Sequence, residues 1–181
     1  QVSLYIPKAA PECSCHVVGA EDARVSPKGD FTRRNFEPAA APYSAYRAFI
    51  TGIEVETKAQ ARVVVAFGDS ITDGYLSTTG ANQRYPDRLA DRLQKTARGR
   101  SVAVVNAGLS GNRLLADGLV ITMGQNALAR FDRDVLAVPG ATHLIILEGV
   151  NDVGVGGATP PSAQNIIQAY EQLIGRAHAH G

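Results

Sequence analysis

Val63-Val64-Val65-Ala66-Phe67-Gly68-Asp69-Ser70-Ile71-Thr72 is an apolar run that stops on a glycine and delivers a serine two positions later. An uninterrupted apolar run of this length, bounded by a turn residue, predicts a strand buried on both faces, as in a parallel sheet. Gly68 permits a tight exit from the strand. The Ser70 hydroxyl is therefore expected at the carboxyl end of the strand, where open α/β sheets place ligands and chemistry. The arrangement recurs in Val102-Ala103-Val104-Val105 followed by Asn106-Ala107-Gly108, and in Leu144-Ile145-Ile146-Leu147 followed by Glu148-Gly149-Val150-Asn151-Asp152. Three strand ends should converge on one site.

Helical patterns separate these strands. Leu89, Ala90, Leu93 and Ala97 recur at helical spacing after Tyr85-Pro86. A second helix is expected around 123–136, with Leu128, Phe131 and Leu136 on its buried stripe. Pro160-Pro161-Ser162 starts a last helix carrying Ile166, Ile167, Tyr170, Leu173, Ile174 and Ala177. Three βα units with apolar strands predict an α/β fold, a flavodoxin-like three-layer α/β/α sandwich around a parallel sheet. In the strand order 2-1-3-4-5 the third strand is internal. The sequence ends before a fourth strand, so Leu144–Leu147 is expected to form an apolar edge and the domain to be incomplete. Proteins normally cover such edges. A complementary C-terminal fragment or second chain is therefore expected to complete the sheet.

Residues 1–60 differ from the rest. Val2-Ser3-Leu4-Tyr5-Ile6 and Tyr46-Arg47-Ala48-Phe49-Ile50 alternate, and Pro7, Pro11, Pro27, Gly29, Pro38 and Pro42 interrupt them. This punctuation predicts a β-rich N-terminal segment over 1–60, joined to the βα unit over 61–181.

The chain has 181 residues, of which 45% are hydrophobic and 19% charged, a globular composition. Its 18 basic and 17 acidic side chains leave a formal net charge of +1 with no block of like charge, which argues against a nucleic-acid partner or an anionic membrane surface. No apolar stretch approaches the roughly 18 to 20 residues that span a bilayer. Cys13 and Cys15 read as two free or modified thiols, with a strained local disulfide or a metal site as alternatives; no second cluster of metal-ligating residues accompanies them.

On these blocks, the region 62–181 resembles the GDSL or SGNH hydrolase family, whose serine, glycine, asparagine and histidine lie in four separate blocks. The resemblance implies an α/β/α sandwich and ester hydrolysis without metal or organic cofactor. It implies that Ser70 is the nucleophile. The Gly108 N–H and Asn151 amide would join the Ser70 N–H in an oxyanion hole, where preorganised donors meet developing charge. Asp69, Asn112 and Asp152 are expected in supporting or substrate-facing roles, with Asp69 hydrogen-bonded to loop backbone. Arg113 reads as a solvated loop arginine. The family's fourth block, Asp-x-x-His, is missing: none of His16, His143, His178 and His180 has an aspartate three residues before it. His143 precedes its strand at the amino end, and His178 and His180 suit a helix C-terminus.

The leading reading is a serine esterase acting on a small acyl ester, a lipid or an acylated carbohydrate, with its base supplied from outside this chain. A non-catalytic relative that binds an acylated ligand is the alternative. A flavodoxin-like nucleotide binder is disfavoured, because the first loop has no glycine-rich phosphate pattern, and nothing indicates the carboxylate pair of a glycosidase.

Overall fold

The computed structural model describes residues 2–8, 15–21, 23–33, 43–44, 47–58, 60–154 and 160–181. Its N-terminal segment contains two short antiparallel pairings: β1 (Cys15–His16) with β4 (Arg47–Ala48), and β2 (Ala23–Arg24) with β3 (Tyr43–Ser44). Residues 2–6, read as a strand from their alternation, have no regular structure, and Val2, Leu4, Tyr5 and Ile6 are exposed. Alternation alone does not hold a strand without a partner. Cys13 and the Cys15 side chain lie outside what is described.

The sheet behind the site is parallel, with β5 (Arg62–Gly68) between β6 (Val102–Gly108) and β7 (Ala141–Leu147). Its central strand is β5, whose residues Val64–Gly68 are buried. Val65 and Phe67 pack with Leu114, Phe131, Val135, Ala169 and Leu173 in the main core, and Val64 and Ala66 are buried on the opposite face. A bulge shifts the β5–β7 register between Val63 and Val64, where Thr142 Oγ1 accepts from the Val63 N–H and donates to the Val63 carbonyl, both at 3.2 Å.

Helix α1 (Ser70–Asp73) is a single turn stopped by Gly74 in the left-handed region, and α2 (Tyr85–Gln94) packs against β6. The helix expected over 123–136 is interrupted. Gly124 has φ +68, the Asn126 side chain caps the Ala129 N–H, and α3 runs only from Ala127 to Phe131 before widening into π-type turns over Asp132–Leu136. The short helix α4 (Val150–Gly154) follows β7, and α5 spans Ala163–His180 behind a reciprocal Ser162–Asn165 cap. Helix α5 buries Ala169 and Leu173 with Ile166, Tyr170 and Ala177, while Ile167 and Ile174 remain exposed. Strand β7 has no partner on its outer side among the described residues. Beside it, Leu136, Leu144, Ile146, Tyr170, Ile174 and His178 line a groove of about 480 Å³.

Candidate active site

The turn from β5 into α1 is crowded. A side chain at Gly68 would collide with Thr72 and with the Leu147 carbonyl, so only glycine lets β5, β7 and α1 meet this closely. Asp69 is buried and caps α1 by accepting the Ile71 N–H at 2.9 Å. Its other oxygen is buried with no hydrogen-bond partner among the described residues, and burial raises its pKa against the opposing pull of the Ile71 N–H and Arg130. Ser70 is the first residue of α1. Among the described residues neither its Oγ nor its backbone N–H has a hydrogen-bond partner.

The loop after β6 approaches α1 from one side. Gly108 has no room for a Cβ against the Asp73 backbone, and Asn106 straps the crossing by donating to the Thr72 carbonyl at 2.9 Å. The Gly108 N–H donates to Asn106 Oδ1 at 2.9 Å, so the donor expected there from the sequence is not free. Three residues on, Gly111 sits at φ +80 with its N–H unpaired among the described residues. Its neighbours are firmly held. Ser110 donates its N–H (3.0 Å) and Oγ (2.5 Å) to Asp73 Oδ2.

Asn112, expected in a supporting or substrate-facing role, is fully buried. Its amide donates to the Met123 and Gln125 carbonyls, and its Oδ1 accepts from Arg130 Nε at 2.8 Å. Its polar atoms are satisfied internally, which leaves it a loop-fixing role.

The third strand end contributes Asn151, whose Nδ2 donates to the Asn112 carbonyl at 2.8 Å and retains a second N–H. Asp152, beside it, is buried and accepts from the Leu114 and Leu115 N–H groups at 2.6 and 2.9 Å. One loop, 109–115, is thus tied to α1 through Asp73 and to α4 through Asn151 and Asp152. Arg113 is half-buried in that loop.

The sequence reading missed the group beneath the site. Arg130, 1% exposed, donates to the carbonyls of Gly68 and Ala107, to Asn112 Oδ1 and to the carboxylates of Asp134 and Glu148. Its guanidinium lies 4.0 Å from the Phe67 ring centroid. Burial pushes the Glu148 carboxyl up to about 7 despite the Arg130 charge, and its Oε2 is buried with no hydrogen-bond partner among the described residues. The available signal was an arginine spaced three residues after Ala127 and one before Phe131, inside an apolar stripe.

None of the histidines hydrogen-bonds Ser70 among the described residues. His143 bonds Thr142 Oγ1 at the amino end of β7, and His178 and His180 lie in the last turn of α5. His16 lies 2.8 Å from Asp73. No group of three or more His, Cys, Asp or Glu side chains among the described residues is placed to hold a metal ion, and no described helix is long and apolar enough to cross a membrane.

Residues 66–181 match the GDSL-like Lipase/Acylhydrolase family. Among solved structures the chain is similar to AlinE4, an SGNH-hydrolase family esterase, with 23% identity and a TM-score of 0.52 over 68% of this chain and 56% of that one. It is also similar to a protein of the G-D-S-L family from Desulfitobacterium hafniense DCB-2, with 27% identity and a TM-score of 0.47 over 65% of this chain and 53% of that one. The chain therefore spans little more than half the length of either structure. A comparison with curated proteins gives no match.

Proposed function

The chain belongs to the GDSL-like lipase/acylhydrolase family, and from that premise we propose that its 61–181 unit hydrolyses carboxylic esters through an acyl-enzyme on Ser70. The observation carrying this reading is the set of polar groups at the strand ends that are unpaired among the described residues: Ser70 Oγ, the Ser70 N–H, the Gly111 N–H and the second N–H of the Asn151 amide. The neighbouring side chains of Asp73, Ser110, Asn112 and Asp152 are engaged in internal hydrogen bonds.

In the reaction Ser70 Oγ attacks the ester carbonyl and loses its proton to a base. The developing oxyanion is held by the N–H groups of Ser70, Gly111 and Asn151, each worth about 3 to 4 kcal/mol in such a hole. The alcohol departs with a proton. Water then attacks the acyl-enzyme by the same route and frees the acid. Gly111 replaces Gly108 as the loop donor because the Gly108 N–H is engaged by Asn106.

A serine hydroxyl needs a base within reach, and Ser70 has none among the described residues. We infer that a segment outside these 181 residues pairs with the open edge of β7 and brings a histidine and an aspartate to Ser70. A small acyl ester, a lipid or an acylated carbohydrate would suit the reading. The same lack of a base favours the competing reading, a non-catalytic protein that binds an acylated ligand.

Intact mass spectrometry with a fluorophosphonate probe, followed by p-nitrophenyl acetate turnover, separates the two. An esterase gains one probe adduct and loses both labelling and turnover in Ser70→Ala. Ligand binding without labelling or turnover would establish the non-catalytic reading.

A further inference from the structure

The N-terminal segment touches the hydrolase unit beside the proposed oxyanion loop. Arg84, which caps α2, donates to the Gly19 carbonyl, and the Gly80 N–H donates to the Ala20 carbonyl at 3.0 Å. These bonds bring His16 of β1 over α1. Its Nε2 is buried and lies 2.8 Å from Asp73 Oδ1, within ion-pair distance though out of line for a formal hydrogen bond. Asp73 is 2% exposed, and its other oxygen takes both bonds from Ser110. Among the described residues His16 is the one side chain able to carry positive charge within ion-pair distance of that carboxylate.

A buried carboxylate needs its partners. Held on Oδ2 alone, it is free to turn about its last torsion and leave Ser110 unsupported. Held on both oxygens, it is fixed, and so is the residue preceding Gly111. We propose that His16 is a positioning residue for the oxyanion loop: it holds Asp73, Asp73 holds Ser110, and Ser110 sets the Gly111 N–H. The inference rests on the esterase reading and makes the N-terminal segment a working part of the site. Asp73 belongs to the same single helical turn as Ser70, so the contact also fixes the loop relative to the nucleophile.

The test uses the intact protein and the variants His16→Leu, His16→Gln and Ser110→Ala. His16→Leu should lower kcat for p-nitrophenyl acetate by about tenfold to a hundredfold, the scale on which a misplaced catalytic group acts, with KM within about twofold. His16→Gln retains an N–H donor and should recover most of the loss. His16→Leu combined with Ser110→Ala should cost less than the product of the single effects, as expected for residues in one chain of contacts.

Amide hydrogen exchange at Ser110 gives a readout independent of turnover, and it should accelerate in His16→Leu and not in His16→Gln. An unchanged kcat and unchanged Ser110 exchange in His16→Leu would overturn the proposal, as would equal losses in the Leu and Gln variants. If His16→Leu fails to fold, the comparison passes to Ser110→Ala, whose unchanged kcat would overturn it equally. Wild-type protein that neither labels at Ser70 nor turns over ester defeats the esterase reading itself. Labelled, active protein indifferent to His16 defeats this inference alone.

Discussion

Arg130 Nη2 donates to the Gly68 carbonyl at 2.9 Å, gripping β5 at the residue where it turns toward Ser70. The same guanidinium holds the end of β6 through Ala107 and the residue following β7 through Glu148. Three strand ends that must converge for the site to exist are thus joined by one side chain whose planar fork reaches all of them.

Removing that side chain should cost more than an ordinary core substitution. Arg130→Leu removes the bonds to Glu148, Asn112 and the Ala107 carbonyl, leaving the Gly68 carbonyl only the Leu109 N–H, and breaking a buried ion pair from one side typically costs about 3 to 5 kcal/mol. Urea unfolding should show a loss of that order. Arg130→Lys should recover little, since an ammonium cannot serve this set of acceptors in one plane. Full recovery in the lysine variant would show that charge, not the fork, is what matters.

Glu148 makes a pH-dependent contribution with a definite sign. Its folded pKa, raised by burial to about 7 from the ordinary value of 4.5, means the native state keeps a proton that the unfolded state gives up. Between these values the unfolded chain binds fewer protons, so stability falls as pH rises. The stabilising contribution is full below 4.5 and is lost by about pH 7. Glu148→Gln should flatten much of this slope in a series of unfolding curves from pH 4 to 8. Asp69, also raised by burial, leaves a residual slope of the same sign. A Gln variant with the wild-type slope would remove Glu148 as its source.

The parallel sheet was legible because strands buried on both faces write themselves as unbroken apolar runs, and the serine turn because Gly68 marks the exit. The N-terminal segment was less legible. Its described strands are two residues long, too short for a period to register. The helix boundary near 124 was missed because the positive φ of Gly124 and the Asn126 cap outweigh the apolar spacing. Within the site, Ser70 and Asn151 were readable as residues following strands. Which glycine has a free N–H depends on where the Asn106 side chain goes, and that is a tertiary fact. Arg130, Asp73 and His16 make their contacts across long sequence separations, which no local pattern records.

The open edge of β7 should have a measurable consequence. Ile145 is 37% exposed on a strand with no outer partner among the described residues, and unprotected apolar edges recruit other strands. Residues 1–181 produced alone should self-associate in sedimentation velocity and turn over p-nitrophenyl acetate weakly. Ile145→Lys, placing a charge on the edge strand, should reduce association without restoring turnover. Adding in trans a segment of the proposed kind, one that pairs with β7 and carries the histidine and aspartate, should suppress association and raise turnover together. A monodisperse, fully active 1–181 protein would refute the proposed completion of the sheet and return the search for the base to the histidines of this chain.

Asn151 offers the most direct examination of the proposed oxyanion hole. One N–H of its amide is fixed on the Asn112 carbonyl at 2.8 Å, adjacent to Gly111, which leaves the other for the proposed oxyanion contact. Because an oxyanion donor acts mainly when charge develops, Asn151→Ala should lower kcat by about a hundredfold to a thousandfold with little change in KM. The lost bond to Asn112 should cost about 1 kcal/mol of stability, a separate effect visible in unfolding. Asn151→Asp is the sharper variant. It keeps the size of the side chain but sets a carboxylate against both the Asn112 carbonyl and the developing oxyanion, so its kcat should be no higher than that of Asn151→Ala. Fluorophosphonate labelling of Ser70 should slow in parallel in both variants, since phosphonylation also builds charge on an oxygen in the hole. If Asn151→Ala instead retains more than about a tenth of wild-type kcat, the amide only anchors the loop, and the oxyanion reduces to the Ser70 and Gly111 N–H groups.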